Sequence, residues 1–365
     1  MPNARTAMAS DDGLPAARIL PPGGRVLVVR LSALGDVLFA LETVAALRRE
    51  RPDVTIDFLV EDRFASLLAD HPQIDEVLVY PRRHRLRIPG SLLRLRRRPR
   101  YDVLLDLHAI QKSALHVRCV RATHKIGPDA PTAREGAERV FTRRVPMPGT
   151  PQHRADIGHR LLAAIGLSGQ PAAPTLAATP PPPDLLAGVT RPLVMLFPGT
   201  SAFAPFKRWP IDKFVDLAGR LLDRGLGVAV GFGPGERELA APLLERDRVR
   251  AVDGTSLGLR GLTGVLGECD VMVAADTGPL HLAALAGTRC VALFGPKDTA
   301  RYGPRSHGRD SKGPIQHEVL CHDVPCRPCT RRDCVSPQCV LGIDTGKVEA
   351  AVLRQLGAPR AEAPS

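Results

Sequence analysis

Apolar residues arrive along this chain in short β-branched runs separated by amphipathic stretches. Residues 25–30, RVLVVR, have the length and composition of a buried strand. A small-residue loop, LSALG, follows. DVLFALETVAALRRE then carries apolar residues at helical spacing and stops before Pro52. Residues 54–60, VTIDFLV, read as a strand, EDRFASLLADHP as a short helix, and EVLVY and DVLLDL (102–107) as strands. This alternation predicts a doubly wound parallel sheet.

Residues 170–192, rich in Pro and Ala, read as a linker or a strand-poor connection. The alternation then restarts. LVMLFPG (193–199), LGVAVGFG, CDVMVAAD (269–276) and RCVALFG (289–295) read as strands. WPIDKFVDLAGRLLDRG, GERELAAPLLERD and TGPLHLAALAG read as helices between them. The expected organisation is a disordered leader at 1–24, one α/β domain at 25–180, a second at 190–350 and a tail at 351–365. No period of 20–50 residues suggests a solenoid. Two such domains in tandem place a cleft between the carboxyl ends of their sheets, where ligands usually bind.

Composition narrows this picture. With 365 residues, 44% hydrophobic and 24% charged, the chain can build a sizeable core. No apolar run approaches the roughly 18 residues of a membrane helix, and the N-terminus lacks an apolar stretch of signal-peptide length. A cytoplasmic location is expected, with peripheral attachment to the inner face of the cytoplasmic membrane as an extension of it. The net charge is +12, and nine arginines with no acid lie between Glu76 and Asp102. Such a surplus suits nucleic acid, an anionic membrane face or an acidic substrate. Aromatics at 4% argue against a single-strand-binding platform built on stacking.

Four motifs fall at strand ends. RLSALGD (30–36) places Gly35 in a tight turn and Asp36 at the start of a helix facing the cleft. Asp36 either caps that helix or serves as a general base, ionised at neutral pH. FPGTSAFAPFKRWP (197–210) offers Gly199, Thr200 and Ser201 after a strand, with Lys207 close behind as a compact cation. GFGPGERE (231–238) forms a glycine turn with Glu236 free to accept hydrogen bonds from a ribose. It lacks the rest of a dinucleotide fingerprint, which disfavours a nicotinamide oxidoreductase. AADTGPLHLAALAG (274–287) sets Asp276, Thr277, Gly278 and His281 at a helix N-terminus, an anion site suited to a diphosphate and its ribose. Helix capping alone is the bland account of Asp276 and Thr277, and simple packing that of His281. FGPKD adds Lys297 at the next strand end.

Taken in order, RLSALGD, PGTS with KRWP, DTGPLHLAA and FGPKDTARYGP resemble glycosyltransferase family 9, the bacterial ADP-heptose:lipopolysaccharide heptosyltransferases. The resemblance covers roughly residues 25–350. It implies a GT-B fold: two facing Rossmann-like domains, with acceptor on the first and nucleotide sugar on the second. It implies an inverting transfer of heptose from ADP-heptose to the inner core of lipopolysaccharide. Asp36 would be the catalytic base. Gly199, Thr200, Ser201, Lys207, Glu236, Asp276, Thr277, Gly278 and His281 would line the nucleotide-sugar site, with Lys207 also stabilising the departing diphosphate. No Asp-x-Asp occurs, so no divalent metal or other cofactor is expected. A transferase of the same fold using another sugar nucleotide is the nearest alternative.

Two features lie outside those motifs. Arg94, Arg96, Arg97 and Arg98 belong to the arginine stretch and are expected to recruit the anionic acceptor or the membrane surface, apart from the donor site. Cys321, Cys326, Cys329, Cys334 and Cys339 are expected to be reduced thiols in an ordered loop. Their spacing matches part of a plant-type iron–sulfur pattern, and four thiolates also suit zinc. From another class comes a basic nucleic-acid-binding protein using the arginines and a cysteine-bound metal. The sequence does not fix the oligomeric state.

Overall fold

The computed structural model describes residues 19–150, 152–201, 203–307, 309–310 and 313–357. The first half holds six strands: β1 (Arg25–Val29), β2 (Thr55–Glu61), β3 (Glu76–Tyr80), β4 (Tyr101–Asp106), β5 (Ala122–Pro128) and β6 (Arg143–Val145). The second holds β7 (Leu193–Phe197), β8 (Gly227–Phe232), β9 (Val249–Asp253), β10 (Val271–Ala275), β11 (Arg289–Leu293) and the strand Glu318–Leu320. Every pairing within these two sheets is parallel.

The first sheet runs β3-β2-β1-β4-β5-β6. The second repeats that order, with β9-β8-β7-β10-β11 and Glu318–Leu320 at its edge. In each, the chain reverses direction across the sheet between the first and fourth strands, which opens a crevice at their carboxyl ends. Four turns meet there. They follow β1, β4, β7 and β10.

Helices cover both faces: α1 (Leu34–Glu50), α2 (Ile88–Arg97), α3 (Gln111–Cys119) and α4 (Asp156–Ala164) in the first half. The second carries α5 (Ile211–Asp223), α6 (Arg237–Leu244), α7 (Gly254–Gly267), α8 (Gly278–Leu285) and α9 (Thr345–Gly357). Strand alternation sorts the core. Val26 and Val28 of β1 face one side, and Leu27 and Val29 the other. Leu193, Met195 and Phe197 of β7 join the same cluster as Val26 and Val28, so one apolar core runs through both halves. Each fully buried side chain of this kind contributes about 1.5–3 kcal/mol.

The segment between the halves is fastened at both ends. Arg49 donates to the Pro171 carbonyl and His71 Nε2 to that of Thr175, while the Thr179 amide bonds to the Arg260 carbonyl. A Cβ on Gly264 would lie 2.0 Å from the Thr179 carbonyl oxygen, so α7 needs glycine where the strap crosses it. The expected linker is therefore a strap pressed onto the protein. A second fastening joins α4 to residues 301–307. The Arg154 amide bonds to the Arg301 carbonyl at 3.1 Å, and His153 Nε2 donates to that of Gly303 at 3.0 Å. Beneath lies Glu42, buried in α1 and ion-paired with Arg305 at 3.3 Å, with His307 Nε2 3.2 Å and His159 Nε2 3.5 Å from its carboxylate. Arg305 also holds Asp156 at 2.7 Å.

Several local expectations change. Ile19 and Leu20, assigned to the leader, are buried, and Arg51 donates to the carbonyls of Leu20 and Pro21. Residues 1–18 lie outside the described residues. Helix α9 continues beyond residue 350, with Ala351 and Val352 in the core, where the tail was expected. Its residues 358–365 also lie outside the described set. Helix α7 went unread because five glycines depress its helix propensity. Asp253 caps it by accepting from the amides of Thr255 and Ser256. Strand β5, ATHKIGP, has too few apolar positions to show period two.

Candidate active site

The RLSALGD turn ends β1 and opens α1. Ala33, not Asp36, occupies the N-cap, and Asp36 lies in the first turn, so simple capping does not account for it. Its Oδ2 meets Arg30 at 2.6 Å and its Oδ1 meets Arg154 at 3.4 Å. Burial alone would raise the Asp36 pKa. Arg30 and then Arg154 outweigh it and hold the carboxyl well below the usual carboxylate range. Arg30 is itself buried and donates to the Leu107 carbonyl after β4. His108, next in that turn, is pushed down to about 2 by burial and the nearby Arg30, so it is neutral.

Across the crevice, β10 ends at Asp276 and α8 begins. Thr277 is the N-cap, but its side chain makes no capping bond and its hydroxyl is buried without a partner. Lys207 Nζ lies 2.5 Å from Asp276 Oδ2, and His281 Nε2 lies 3.6 Å from Oδ1. Burial would raise the Asp276 pKa, and His281 and Lys207 pull it below its ordinary value. Lys207 therefore does not stand free. It is half of an ion pair that an entering anion must share or open. Lys297, from the next strand end, has its pKa lowered by burial and by the positive charge of Lys207.

The β7 turn shows a division of labour. Thr200 is buried and donates to the Ala204 carbonyl, while Arg208 Nε donates to its hydroxyl at 3.0 Å. Its hydroxyl thus holds the 200–208 loop together while the residue lines the crevice. Glu236 packs over the turn: a Cβ on Gly199 would come within 2.2 Å of its carboxylate. Burial raises the Glu236 pKa, and its Oε2 accepts from the Gly233 amide at 2.8 Å.

Asp36, Gly199, Thr200, Ser201, Lys207, Glu236, Asp276, Thr277, Gly278 and His281 all line one cavity of about 660 Å³. Arg63, Phe203, Arg208 and Lys297 line it as well. The sequence reading did not single out Arg30, Arg154, Arg63 or Arg208. Arg154 reaches Asp36 from 118 positions away, in a segment with no motif.

The crevice of the first half is rich in cations. Glu61, wholly buried at the end of β2, receives Lys112 at 2.5 Å, Arg63 at 2.7 Å and Arg82 at 3.1 Å. Three cations on one carboxylate leave this rim positive.

The arginine stretch divides. Arg98 is half-buried and bound to Glu76, to Asp57 and to the Tyr101 hydroxyl. It ties α2 to the sheet, which corrects its expected role in recruitment. Arg94, Arg96 and Arg97 are exposed and lie outside the cavity. Cys321, Cys326 and Cys334 are exposed, Cys329 is partly covered and Cys339 is buried, and all five are free thiols. Among the described residues, no three His, Cys, Asp or Glu side chains converge as a metal site. The loop supports the FGPKD turn: Cys329 donates its amide to the Pro296 carbonyl and Arg327 donates to that of Gly295.

Comparison with known proteins agrees with this architecture. The model of glycosyltransferase family 9 (heptosyltransferase) matches residues 91–339. Lipopolysaccharide heptosyltransferase 1 of Pseudomonas aeruginosa is 30% identical over 300 residues, which cover 76% of this chain and 81% of that protein. Lipopolysaccharide heptosyltransferase 1 of Escherichia coli K12 is 29% identical, with 76% and 90% covered. The structure of E. coli heptosyltransferase WaaC with ADP superposes with a TM-score of 0.64 at 26% identity, covering 75% of this chain and 88% of that one. A family 9 glycosyltransferase from Veillonella parvula shares the fold at a TM-score of 0.75 and 20% identity, covering 92% and 98%. The fold is GT-B, and the chain is a glycosyltransferase. It belongs to glycosyltransferase family 9, which sets aside the nucleic-acid-binding alternative.

Proposed function

We propose that this enzyme moves heptose from ADP-heptose to the anionic inner core of lipopolysaccharide in one inverting displacement, without a divalent metal. The carrying observation is that Asp36 and the Lys207–Asp276–His281 cluster, from opposite sheets, line one cavity. The acceptor hydroxyl attacks the anomeric carbon, its proton passes to Asp36, and the bond from that carbon to the diphosphate oxygen breaks. Asp36 Oδ1, held less closely than Oδ2, is the oxygen available to that hydroxyl. The leaving diphosphate meets the N-terminus of α8, Lys207 and Lys297, which supply positive charge where a metal would otherwise act. In this reading Glu236 bonds the nucleoside end and the Thr277 hydroxyl, buried without a partner, the phosphates. The positive rim at Lys112, Arg63 and Arg82 suits an acceptor bearing carboxylates and phosphates.

ADP-heptose with a lipid-linked acidic core acceptor, assayed by mass spectrometry and by the anomeric configuration of the product, tests the reading. Product of inverted configuration formed in EDTA is expected. Retained configuration, or transfer only from a UDP- or GDP-sugar, refutes it.

A further inference from the structure

Six large apolar side chains are exposed among the described residues, and four of them lie in the first half, on three neighbouring elements and the turn that precedes one of them. Leu86 is 97% exposed and Leu93 47% exposed, the first just before α2 and the second on it. Val79, 43% exposed, and Leu115, 49% exposed, belong to β3 and α3, the elements against which α2 packs. Helix α2 turns Ser91 and Leu95 inward, with Ile88 and Leu92 packed beside them. At 100° per residue, Pro89, Gly90, Leu93 and Arg97 fall on the opposite face of α2, with Arg94 and Arg96 to either side, and Leu86 stands in the short turn Arg85–Arg87 just before it.

Here apolar side chains stand in water beside arginines that have no acidic partner among the described residues. Burying Leu86 and Leu93 needs an apolar medium, and the surrounding charge needs an anionic one. Arg94, Arg96 and Arg97 have no ion-pair partner among the described residues, and Arg98 already occupies Glu76. An acidic protein would satisfy the charges, but an anionic bilayer satisfies both requirements at the depth where a surface helix sits. The patch also adjoins the crevice. The β3–α2 connection is bound to the end of β2 by Arg82 on Glu61 and by the Arg83 amide on Asp62.

We infer that this face of α2, with the preceding residues 82–87, is the surface by which the enzyme lies on an anionic membrane, apolar side chains inserted and arginines at the headgroups. The inference rests on the proposed lipid-borne acceptor, because it brings the positive rim of the crevice to the surface where that acceptor is anchored.

The test is flotation of the full chain with phosphatidylethanolamine vesicles containing phosphatidylglycerol, and with phosphatidylcholine vesicles as the neutral control. Wild type is expected to float with the anionic vesicles at low salt and to be released by high salt. Replacing Arg94, Arg96 and Arg97 together with Gln should weaken binding about a hundredfold. The double variant Leu86→Ser, Leu93→Ser should weaken it about tenfold or more while keeping the charge. That variant should retain its melting temperature and its turnover on a delipidated, water-soluble acceptor, and lose turnover on vesicle-embedded acceptor. Absence of wild-type flotation, or equal flotation of the leucine variant, overturns the inference. Vesicle binding is read without donor, so failure of the heptosyl-transfer reading leaves this result interpretable.

Discussion

Gly35 and His281 meet across the two halves of the enzyme: a Cβ on Gly35 would lie 2.7 Å from His281 Cδ2. The reciprocal contact lies beside it, where a Cβ on Gly278 would meet Leu34 at 2.7 Å. The turn that carries Asp36 and helix α8 thus touch directly, and glycine is required on each side. Gly35→Ala should push the halves apart and lower kcat about tenfold or more, since small misplacements of reacting groups are expensive. Wild-type turnover in Gly35→Ala would show that the contact is not limiting.

Asp36→Asn should reduce kcat by about 10²–10⁴ while leaving the calorimetric affinity for ADP-heptose unchanged. The substitution also strips the buried Arg30 of its carboxylate, so a loss of up to about 3 kcal/mol in stability is expected. Assay well below the variant's melting temperature separates the two effects. Near-normal turnover would remove Asp36 from the role of base.

The pH dependence follows from the two arginines. They depress the Asp36 pKa, so its ionised form persists as pH falls below the ordinary carboxylate value. In Arg154→Gln one opposing cation is gone, and burial pushes the pKa back up. The acid limb of the kcat profile should therefore move to higher pH in Arg154→Gln than in wild type. An unshifted limb would mean that another group controls it.

Lys207→Ala should weaken ADP-heptose binding, and so should Asp276→Ala. Because the two side chains are paired at 2.5 Å, their stability effects should not add. A double-mutant cycle by urea unfolding should return a coupling of about 0.5–3 kcal/mol. Coupling near zero would mean that the pair is broken in solution.

Glu42 fastens the halves. Burial would raise its pKa, but His159, His307 and Arg305 bring it down to about 2. A carboxylate depressed in the folded state contributes stability that is fully present above its unfolded pKa of about 4.3 and lost as pH falls toward the folded value. Wild type should therefore lose stability between about pH 5 and 2 more steeply than Glu42→Gln. At neutral pH, Glu42→Gln should cost about 3–5 kcal/mol. Parallel pH–stability curves for the two proteins would contradict this.

Much of the architecture was legible because its signals are local. Buried parallel strands such as Leu193–Phe197 are continuous apolar runs, and the turns that follow them carry glycine where a side chain from another element packs against the backbone. What escaped is non-local. Lys207 and Asp276 are 69 positions apart, and nothing in KRWP or DTGP announces their pairing. The bonds of the Thr200 hydroxyl to the Ala204 carbonyl and Arg208, which fold the loop back on itself, are equally invisible in PGTS. Arg98 sits among exposed arginines in sequence, yet its place at the end of α2 turns it toward Asp57 and Glu76.

The strap over α7 and the grip of residues 301–307 on α4 together set the mechanics of the molecule. Each ties the first half to the second at a place apart from the Gly35–His281 contact, and one apolar core continues between them. The halves are thus held at several separate points, and the set of the crevice depends on Thr179, Gly264 and Arg305 as well as on the residues that line it.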